Sequence, residues 1–523
     1  MSSRNRREFL ADVGRGMLIG SLGASTAFDL GLSSAEARDD EGRVTFGKLE
    51  PLVSLMQETA PDKLMPLLVE RLNNGAELKS LVAAGALANV RAFAGQDYTG
   101  YHTFMALLPA MQMAAQLPRE RQPLPVLKVL YRNSSRIQNQ SASHKDALHP
   151  VTGVEPGSSN LSGEQLRASV RSLDWQGTES QFATMAQGPA GEAFNHLQFA
   201  VQEEVDVHRV VLSWRSLAML DVAGKEHAHT LLRQSVRYCL DIEQAMHDRK
   251  RGRSPIREVL PKLMDEHKLL SLADGTRQAD DAWVEHLAMT IFRGSREQAA
   301  EAVAIALAEG FAPETVGEAI ALAANQLVLH DPGRLEKYSS LEKPPGCVHG
   351  DSVGVHASDA ANAWRNISRV GNRRNRISSL IVGAFHTGGQ IRWDRQESAP
   401  YTQQLAELRT LTEPKSTNGT TLLAQTNEAI QSNDQARAAA LVHRYGELNL
   451  PVRPVLDLML GYGVSEDGAL HAEKYYHTVT EEYATTRESF RWRQIVALAR
   501  VTASEHGFPA PGYQQSCDLL RLS

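Results

Sequence analysis

Apolar residues recur along most of this chain with the three- and four-residue spacing of helices that bury one face. Two examples are the stripe at Leu64, Leu67, Leu68 and Leu72 and the stripe at Ala299, Ala302, Val303, Ile305 and Ala306. Runs in which apolar β-branched residues alternate with polar ones, the pattern of half-buried strands, are few. The pattern therefore predicts an all-α fold made of successive amphipathic helices.

Three stretches lack this periodicity and contain clusters of proline, glycine and serine, which are residues typical of turns and loops. They cover residues 140–183, 331–351 and 396–420. They divide the chain into four helical units of similar size, at about 48–140, 184–250, 281–395 and 420–510. We expect these units to form one large all-helical domain over residues 38–523, arranged around a central cleft.

The four units share a layout of two helices, a glycine-bearing turn and a histidine at the start of a third helix. These histidines are His102, His227, His356 and His471. In the second unit, for example, Gly224 opens the run G-K-E-H-A-H-T-L-L-R, and in the third Gly354 opens G-V-H-A-S-D. A repeat this long indicates duplication of a helical unit rather than a short solenoid repeat.

Equivalent positions of four related units face the same place if the units pack around a common axis, so the four histidines would converge in the cleft. Neutral imidazoles are good ligands for iron, copper, zinc and nickel. The sequence therefore predicts a metal site with the ligands His102, His227, His356 and His471. Asp359 and Glu473, which closely follow two of these histidines, are the candidate catalytic residues that orient the ligands or transfer protons.

The histidine pattern leaves two points open. His229, His349 and His477 lie close to the candidate ligands, and His227 and His229 diverge by about 200° on a helix, so that only one of them faces the cleft. A histidine near the start of a helix is also often a buried residue that bonds to a loop carbonyl. On that alternative the four histidines are structural and bind no metal.

The first residues of the chain resemble a twin-arginine export signal. The run Ser3–Leu10 reads S-R-N-R-R-E-F-L, a weakly apolar stretch follows over Gly16–Phe28, and Ala35-Glu36-Ala37 fits a signal-peptidase site. The apolar stretch is shorter than the roughly 20 residues that span a bilayer. The resemblance implies that residues 1–37 are removed, and that the twin-arginine export machinery carries the folded chain to the periplasm, often with a cofactor already inserted.

Charge and cysteine content exclude several classes of protein. The formal net charge is −6, which disfavours a nucleic-acid partner. The three cysteines are Cys239, Cys347 and Cys517, an odd number without a C-x-x-C motif. This excludes a disulfide framework, a c-type haem attachment and a cysteine-rich zinc site, and it leaves one disulfide open.

Two other functions remain as alternatives. Gly350-Asp351-Ser352-Val353-Gly354 fits the G-x-S-x-G elbow of serine hydrolases, in which Ser352 would be the nucleophile. Pro344, Pro345 and Gly346 precede it where a strand should lie, which favours a turn that starts a helix. The other alternative is a noncatalytic helical repeat scaffold whose concave face binds a protein or a polymer.

Two runs resemble the questin oxidase-like proteins, which are helical oxygenases of polycyclic aromatics. They are G-K-E-H-A-H-T-L-L-R at 224–233 and Y-T-G-Y-H-T at 98–103. This chain departs from that family in its export signal and in lacking closely paired histidines near the N-terminus. The resemblance implies only a class, a helical oxidoreductase. Together with the histidine pattern it leads us to expect an exported oxidoreductase that holds iron or copper and acts on a small organic substrate.

Overall fold

A computed structural model describes residues 42–139, 146–154, 161–390, 399–411 and 418–522. Over these residues the chain is helical, with no β-strand and only two isolated β-bridges, Arg277 to Phe311 and Glu466 to Pro509. The predicted all-α class is confirmed. The division into four related units stays a prediction, and the signal predicted over residues 1–37 lies outside the described residues.

The helices are numbered here in chain order. In the first half they are α1 Glu50–Glu58, α2 Pro61–Asn73, α3 Leu78–Phe93, α4 Tyr98–Ala114, α5 Pro123–Asn139, α6 Gly163–Arg171, α7 Trp175–Met185, α8 Ala190–Val201, α9 Val207–Ala218, α10 Leu220–Ala223, α11 Ala228–Asp248 and α12 Ile256–Glu266. In the second half they are α13 Asp281–Arg293, α14 Arg296–Ala308, α15 Pro313–Leu329, α16 Val353–Val370, α17 Arg373–Thr387, α18 Thr402–Leu411, α19 Gly419–Gln431, α20 Gln435–Glu447, α21 Val452–Ser465, α22 Ala472–Thr485, α23 Glu488–Glu505 and α24 Tyr513–Leu519.

The predicted apolar stripes lie on the core-facing sides of their helices: Leu64 and Leu68 are buried, Leu67, Leu72 and Ala302 are half-buried, and only Ile305 is exposed. On α14, Ala299, Val303 and Ala306 are buried, but Ile305 is 40% exposed. Ile305 follows Val303 by two residues, which is about 200° around a helix, so it points away from the face that its neighbours bury. Helix geometry therefore overrides the apolar character of this residue.

The buried apolar side chains form two core clusters. The larger one takes its residues mainly from α1 to α17. The smaller one takes them mainly from α18 to α24, with contributions from α5, α15 and α16. The long connection between α15 and α16 contributes Val348 to the smaller cluster, so that this connection is packed into the fold.

Two features that bear on the class of protein can be read from the described residues. None of their helices is both long and apolar enough to cross a membrane. The thiols of Cys239, Cys347 and Cys517 are buried and free, so the disulfide that the sequence left open is not formed.

Four helices that are far apart in sequence pack against one another in a closed circuit. Helix α4 packs on α9, α9 on α16, α16 on α22, and α22 on α4. Each of these helices begins close to a histidine. The circuit therefore brings the starts of four helices, and the side chains that they carry, to one place in the molecule.

Candidate functional site

The helix starts of this circuit are set by side chains that accept hydrogen bonds from the first turn. Asp97 accepts the Gly100 N–H at 2.7 Å, Asp206 accepts the His208 N–H at 2.8 Å, and Ser352 Oγ accepts the Val355 N–H at 3.3 Å. First-turn N–H groups have no partner within their own helix, so such caps fix the residue at which a helix begins. The caps of α4, α9 and α16 thus place a histidine within the first two turns of each helix.

The start of the fourth helix, α22, is built from strained backbone. Gly468, Ala469 and Leu470 have positive φ angles of 49°, 50° and 64°. A side chain at Gly468 would meet Ala472 Cβ at 2.8 Å, so only glycine fits there. Non-glycine residues in the left-handed region cost roughly 1–2 kcal/mol each, and such strain is concentrated at functional sites. The strained turn directly precedes His471.

We expect Ala469→Gly to raise the free energy of unfolding by about 0.5 to 1 kcal/mol, because glycine adopts this conformation without steric cost. Ala469 is only partly buried, so little packing is lost. Urea unfolding of the purified chain measures the change. The control is Ala302→Gly in the interior of α14, which should cost about 1 kcal/mol. An equal decrease in the free energy of unfolding for both variants would show that the turn is not strained.

The histidines of the four helix starts form a closed ring. The ring centroids of His102 and His208 lie 4.7 Å apart, those of His208 and His356 5.3 Å, those of His356 and His471 5.2 Å, and those of His471 and His102 5.2 Å. The Nε2 atoms of His356 and His471 are 3.1 Å apart. We call these four residues the histidine cluster.

The Nδ1 atoms of three cluster members face oxygen atoms that can only accept a hydrogen bond. His102 Nδ1 donates to Tyr98 O at 2.6 Å, His471 Nδ1 donates to Ala469 O at 2.9 Å, and His208 Nδ1 lies 3.3 Å from Asp206 Oδ1. A neutral imidazole with its proton on Nδ1 carries a lone pair on Nε2. Oxygen acceptors on the outer nitrogen are also the usual way in which metal-ligating histidines are oriented.

Two of these Nε2 atoms have no partner. Those of His102 and His208 are buried and make no hydrogen bond, and the residue His102 is only 2% exposed. A buried acceptor that is left unpaired costs roughly 1–3 kcal/mol. The cluster therefore keeps two unsatisfied lone pairs at a cost to stability.

The cluster disfavours protonation. Burial lowers the pKa of His102, His356 and His471 well below the ordinary value of 6.5, and the neighbouring Lys474 and the other imidazoles lower it further. These rings are therefore neutral near pH 7. Neutral imidazole is the form that binds a metal ion.

The carboxylate of Asp206 contacts the Nδ1 side of the His208 ring and is itself hydrogen-bonded by a phenol. Tyr238 donates its hydroxyl to Asp206 Oδ2 at 2.8 Å, while the other oxygen of Asp206 faces His208. Burial raises the pKa of Asp206, but the hydrogen bonds from His208 and Tyr238 outweigh it, so that its pKa is lowered overall. Asp206 is thus ionised and holds the His208 ring in one orientation.

Two tyrosines cover the cluster on its outer side. The ring of Tyr98 lies 4.4 Å from that of His102, and the ring of Tyr101 lies 5.0 Å from it. Tyr101 is buried, whereas Tyr98 is 54% exposed. Tyr98 therefore joins the histidine cluster to the protein surface.

A buried lysine and a carboxyl lie beside the cluster. Lys474 and Asp359 are 3% and 4% exposed, and Thr478 donates its hydroxyl to Asp359 Oδ1 at 2.8 Å. Burial lowers the pKa of Lys474 to about 8, against the opposing effect of Asp359. Burial also raises the pKa of Asp359. Both groups can therefore exchange protons closer to neutral pH than exposed residues of their types.

The structure gives Glu473 a different setting from Asp359. Its carboxylate is fully buried, and Oε1 lies 2.7 Å from Lys128 Nζ of α5. This contact is an ion pair without hydrogen-bond alignment, since both carboxylate oxygens lack an aligned donor. The residue thus interacts with α5, and its predicted catalytic role remains a prediction.

Three of the four predicted ligands, His102, His356 and His471, are brought together, and His227 is not among them. The ring of His227 lies edge-on to Phe46 at 5.8 Å, in the short turn before α11. His208 completes the ring instead, at the start of α9. The signal for His208 was Asp206, a capping residue two positions earlier, which marks a helix start without any glycine.

The residues of the hydrolase alternative are used in other ways. Ser352 caps α16 through its hydroxyl. The ring nitrogens of His349 contact Ser504 Oγ at 2.8 Å and Glu342 O at 2.9 Å, and His356 belongs to the histidine cluster. Neither of these two histidines is placed to act as a base for Ser352.

The cluster is not a preassembled metal site. Among the residues that the structure describes, no three or more histidine, cysteine, aspartate or glutamate side chains are arranged as a group that could hold a metal ion. The donor types nevertheless fit one. Ligand nitrogens lie about 2.0–2.1 Å from a metal, so imidazoles that share one have ring centroids about 5 Å apart. The unpaired Nε2 atoms of His102 and His208 would gain a partner in this way.

The comparisons with known proteins leave the site to be interpreted from its own chemistry. No protein-family model, no curated protein and no solved structure matches this chain.

Proposed function

We propose that this protein is an exported, metal-dependent oxidoreductase whose histidine cluster binds iron or copper and which acts on a small organic substrate. The observation that carries the proposal is the pair of buried, unpartnered Nε2 atoms, on His102 and His208, within a ring of four imidazoles. Most buried polar atoms of side chains have a hydrogen-bond partner. These two do not, and a metal ion would satisfy both.

The neighbouring residues would hold and orient the ligands. The carbonyls of Tyr98 and Ala469 fix the rings of His102 and His471, and Asp206 fixes that of His208. Small rotations of the imidazoles about their side-chain bonds would turn the Nε2 atoms to one point, starting from the 3.1 Å pair of His356 and His471. The bound metal would supply the redox chemistry, for which iron and copper are suited.

The other polar residues would bind substrate and move protons. Tyr98, exposed and in contact with His102, would receive the substrate at the surface. Lys474 and Asp359 would exchange protons with it, because burial has shifted both of their pKa values toward neutrality. The twin-arginine export predicted from the first residues fits this proposal, since that route carries folded proteins, often with a cofactor already inserted.

Metal analysis of the natively exported protein tests the proposal. We expect about one iron or copper ion per chain in the wild type, and His208→Ala should abolish binding, because one ligand of four is lost together with the Asp206 contact. His227→Ala is the matched control and should retain the metal, since its ring lies against Phe46.

The remaining outcomes separate the alternatives. A chain without metal, whose His102→Ala and His356→Ala variants lose stability only, would favour the noncatalytic scaffold. Labelling of the wild type, but not of Ser352→Ala, by an active-site serine probe would favour the hydrolase. Loss of metal from His227→Ala but not from His208→Ala would favour the ligand set taken from the sequence over the one taken from the cluster.

A further inference from the structure

A buried lysine outside the histidine cluster holds the chain on both sides of the strained turn. Lys128 of α5 is fully buried. Its Nζ donates to Gly463 O at 2.9 Å and to Glu466 O at 2.5 Å, and it lies 2.7 Å from Glu473 Oε1. The first two acceptors precede the turn 468–470, and the third follows it.

A second residue of the same helix holds the turn from its N-terminal side. Arg132 lies one helical turn after Lys128 and forms a two-pronged ion pair with Asp467, with Nε at 3.1 Å from Oδ1. Residues four apart lie on the same face of a helix. One face of α5 therefore presents two cations to the segment 463–473.

The number of contacts explains how the turn keeps its strained conformation. The ammonium group of Lys128 donates two hydrogen bonds to carbonyls before the turn and forms an ion pair with Glu473 after it, so that both ends of the turn are held by one buried group. Ala469 and Leu470 would leave the left-handed region if the segment were free, because residues there persist only when the surroundings fix them. His471 directly follows these residues, and its Nδ1 bonds to the carbonyl of Ala469 within the turn. Any relaxation of the turn would therefore move His471.

We propose that Lys128 is a positioning residue of the histidine cluster, a fixed internal cation that keeps the strained turn closed and so aims His471 at His356. The inference deepens the proposed metal-binding function and rests on it. It also assigns Glu473 a positioning role as the anionic partner of Lys128. No atom of Lys128 needs to touch metal or substrate.

Lys128→Met in the full-length chain tests this role with cupric ion as the probe. We expect the affinity for Cu²⁺ to fall by about 10- to 100-fold, as for the loss of other residues that orient metal ligands. The electron paramagnetic resonance spectrum of the bound copper should change, because one imidazole is displaced. Amide hydrogen exchange in the segment 463–475 should accelerate in the metal-free protein.

The matched control is Arg365→Met. Arg365 of α16 is a buried cation that pairs with Glu482 of α22 at 2.5 Å. It therefore joins the two helices whose starts carry His356 and His471, but it lies nine residues along α16 from His356. Its loss should also destabilise the fold, because it leaves a buried carboxylate unpaired. It should leave the copper affinity, the spectrum and the exchange of 463–475 unchanged.

A double variant keeps the test decisive if Lys128→Met does not fold. Lys128→Met with Glu473→Gln removes both charges of the pair, so that no unpaired buried charge remains. We expect this variant to fold and still to show weak copper binding and fast exchange in 463–475.

Two results are distinct failures. Unchanged affinity, spectrum and exchange in a folded Lys128 variant would overturn the positioning role while the metal site stands. A wild type that binds no Cu²⁺ or iron would overturn the proposed function. The amide hydrogen exchange of the segment 463–475 in the Lys128→Met variant would then be the only measurement of whether Lys128 holds the turn.

Discussion

Acidification from pH 6.5 to pH 5 should destabilise this protein steeply, because the unfolded chain takes up protons on histidines that stay neutral in the folded cluster. The pKa values of His102, His356 and His471 are held well below 6.5 by burial, by the charge of Lys474 and by the neighbouring imidazoles. In the unfolded chain each of them titrates near 6.5. Below that pH the unfolded state therefore binds more protons than the folded state.

The sign and size of the effect follow from this difference. Where the unfolded state holds one more proton, the free energy of unfolding falls by about 1.4 kcal/mol for each pH unit of acidification. Three such groups give about 4 kcal/mol per unit, and the effect begins as the pH drops through 6.5. About one pH unit above 6.5 and higher, the three rings are neutral in both states and add no pH dependence.

Urea unfolding of the wild type and of His102→Gln between pH 5 and pH 7.5 measures this pH dependence of the free energy of unfolding. The variant removes one of the three groups, so its slope below pH 6.5 should be smaller by about 1.4 kcal/mol per pH unit. Other titrating groups cancel in the difference. The control is His247→Gln, whose side chain is 74% exposed and should leave the slope as it is. Parallel profiles for wild type and His102→Gln would contradict the argument.

The fold was predictable because helix periodicity is a local property. A stripe such as Leu64 and Leu68 is read from one window of sequence, and these two residues are buried on α2. The histidine cluster is not local, because it depends on which four helices close the circuit. The sequence identified His102, His356 and His471 by a glycine two or three residues before each of them. In the second unit the glycine, Gly224, instead ends α10 with a φ of 107°.

The residues that support the cluster carried even less signal. Lys128 reads as an ordinary polar residue of an amphipathic helix, and the three oxygens that it contacts come from a segment more than three hundred residues later. Alanine and leucine do not favour positive φ, so the residue types at Ala469 and Leu470 did not indicate a strained turn. Such features arise from tertiary packing that overrides local preference.

Replacing Glu505 by glutamine should stabilise the protein at pH 8. Glu505 closes α23, is 4% exposed, and its Oε1 has no hydrogen-bond partner. Burial raises its pKa to about 8, and the nearby carboxyls of Glu473 and Glu466 raise it against the opposing effect of Lys128. Near neutral pH the folded protein therefore holds a proton here that the unfolded chain, with a pKa near 4.3, has released.

The sign is opposite to that of the histidines. Between about pH 4.3 and pH 8 the folded state binds the extra proton, so the free energy of unfolding falls as the pH rises, by about 1.4 kcal/mol per unit. The contribution is fully present below the unfolded pKa and is lost by the time the pH reaches the folded pKa of about 8. Glutamine has nearly the shape of the protonated carboxyl and does not titrate.

Glu505→Gln should therefore match the wild type in stability near pH 4.5 and exceed it by on the order of 4 kcal/mol at pH 8. Urea unfolding at these two pH values measures the difference. Glu482→Gln is the control. This buried carboxylate pairs with Arg365 at 2.5 Å, so its loss should destabilise the protein at both pH values. If Glu505→Gln were destabilising at pH 8, the carboxyl would have to be ionised there and paired with Lys128, which would make it a second anion, beside Glu473, held by the cation that positions His471.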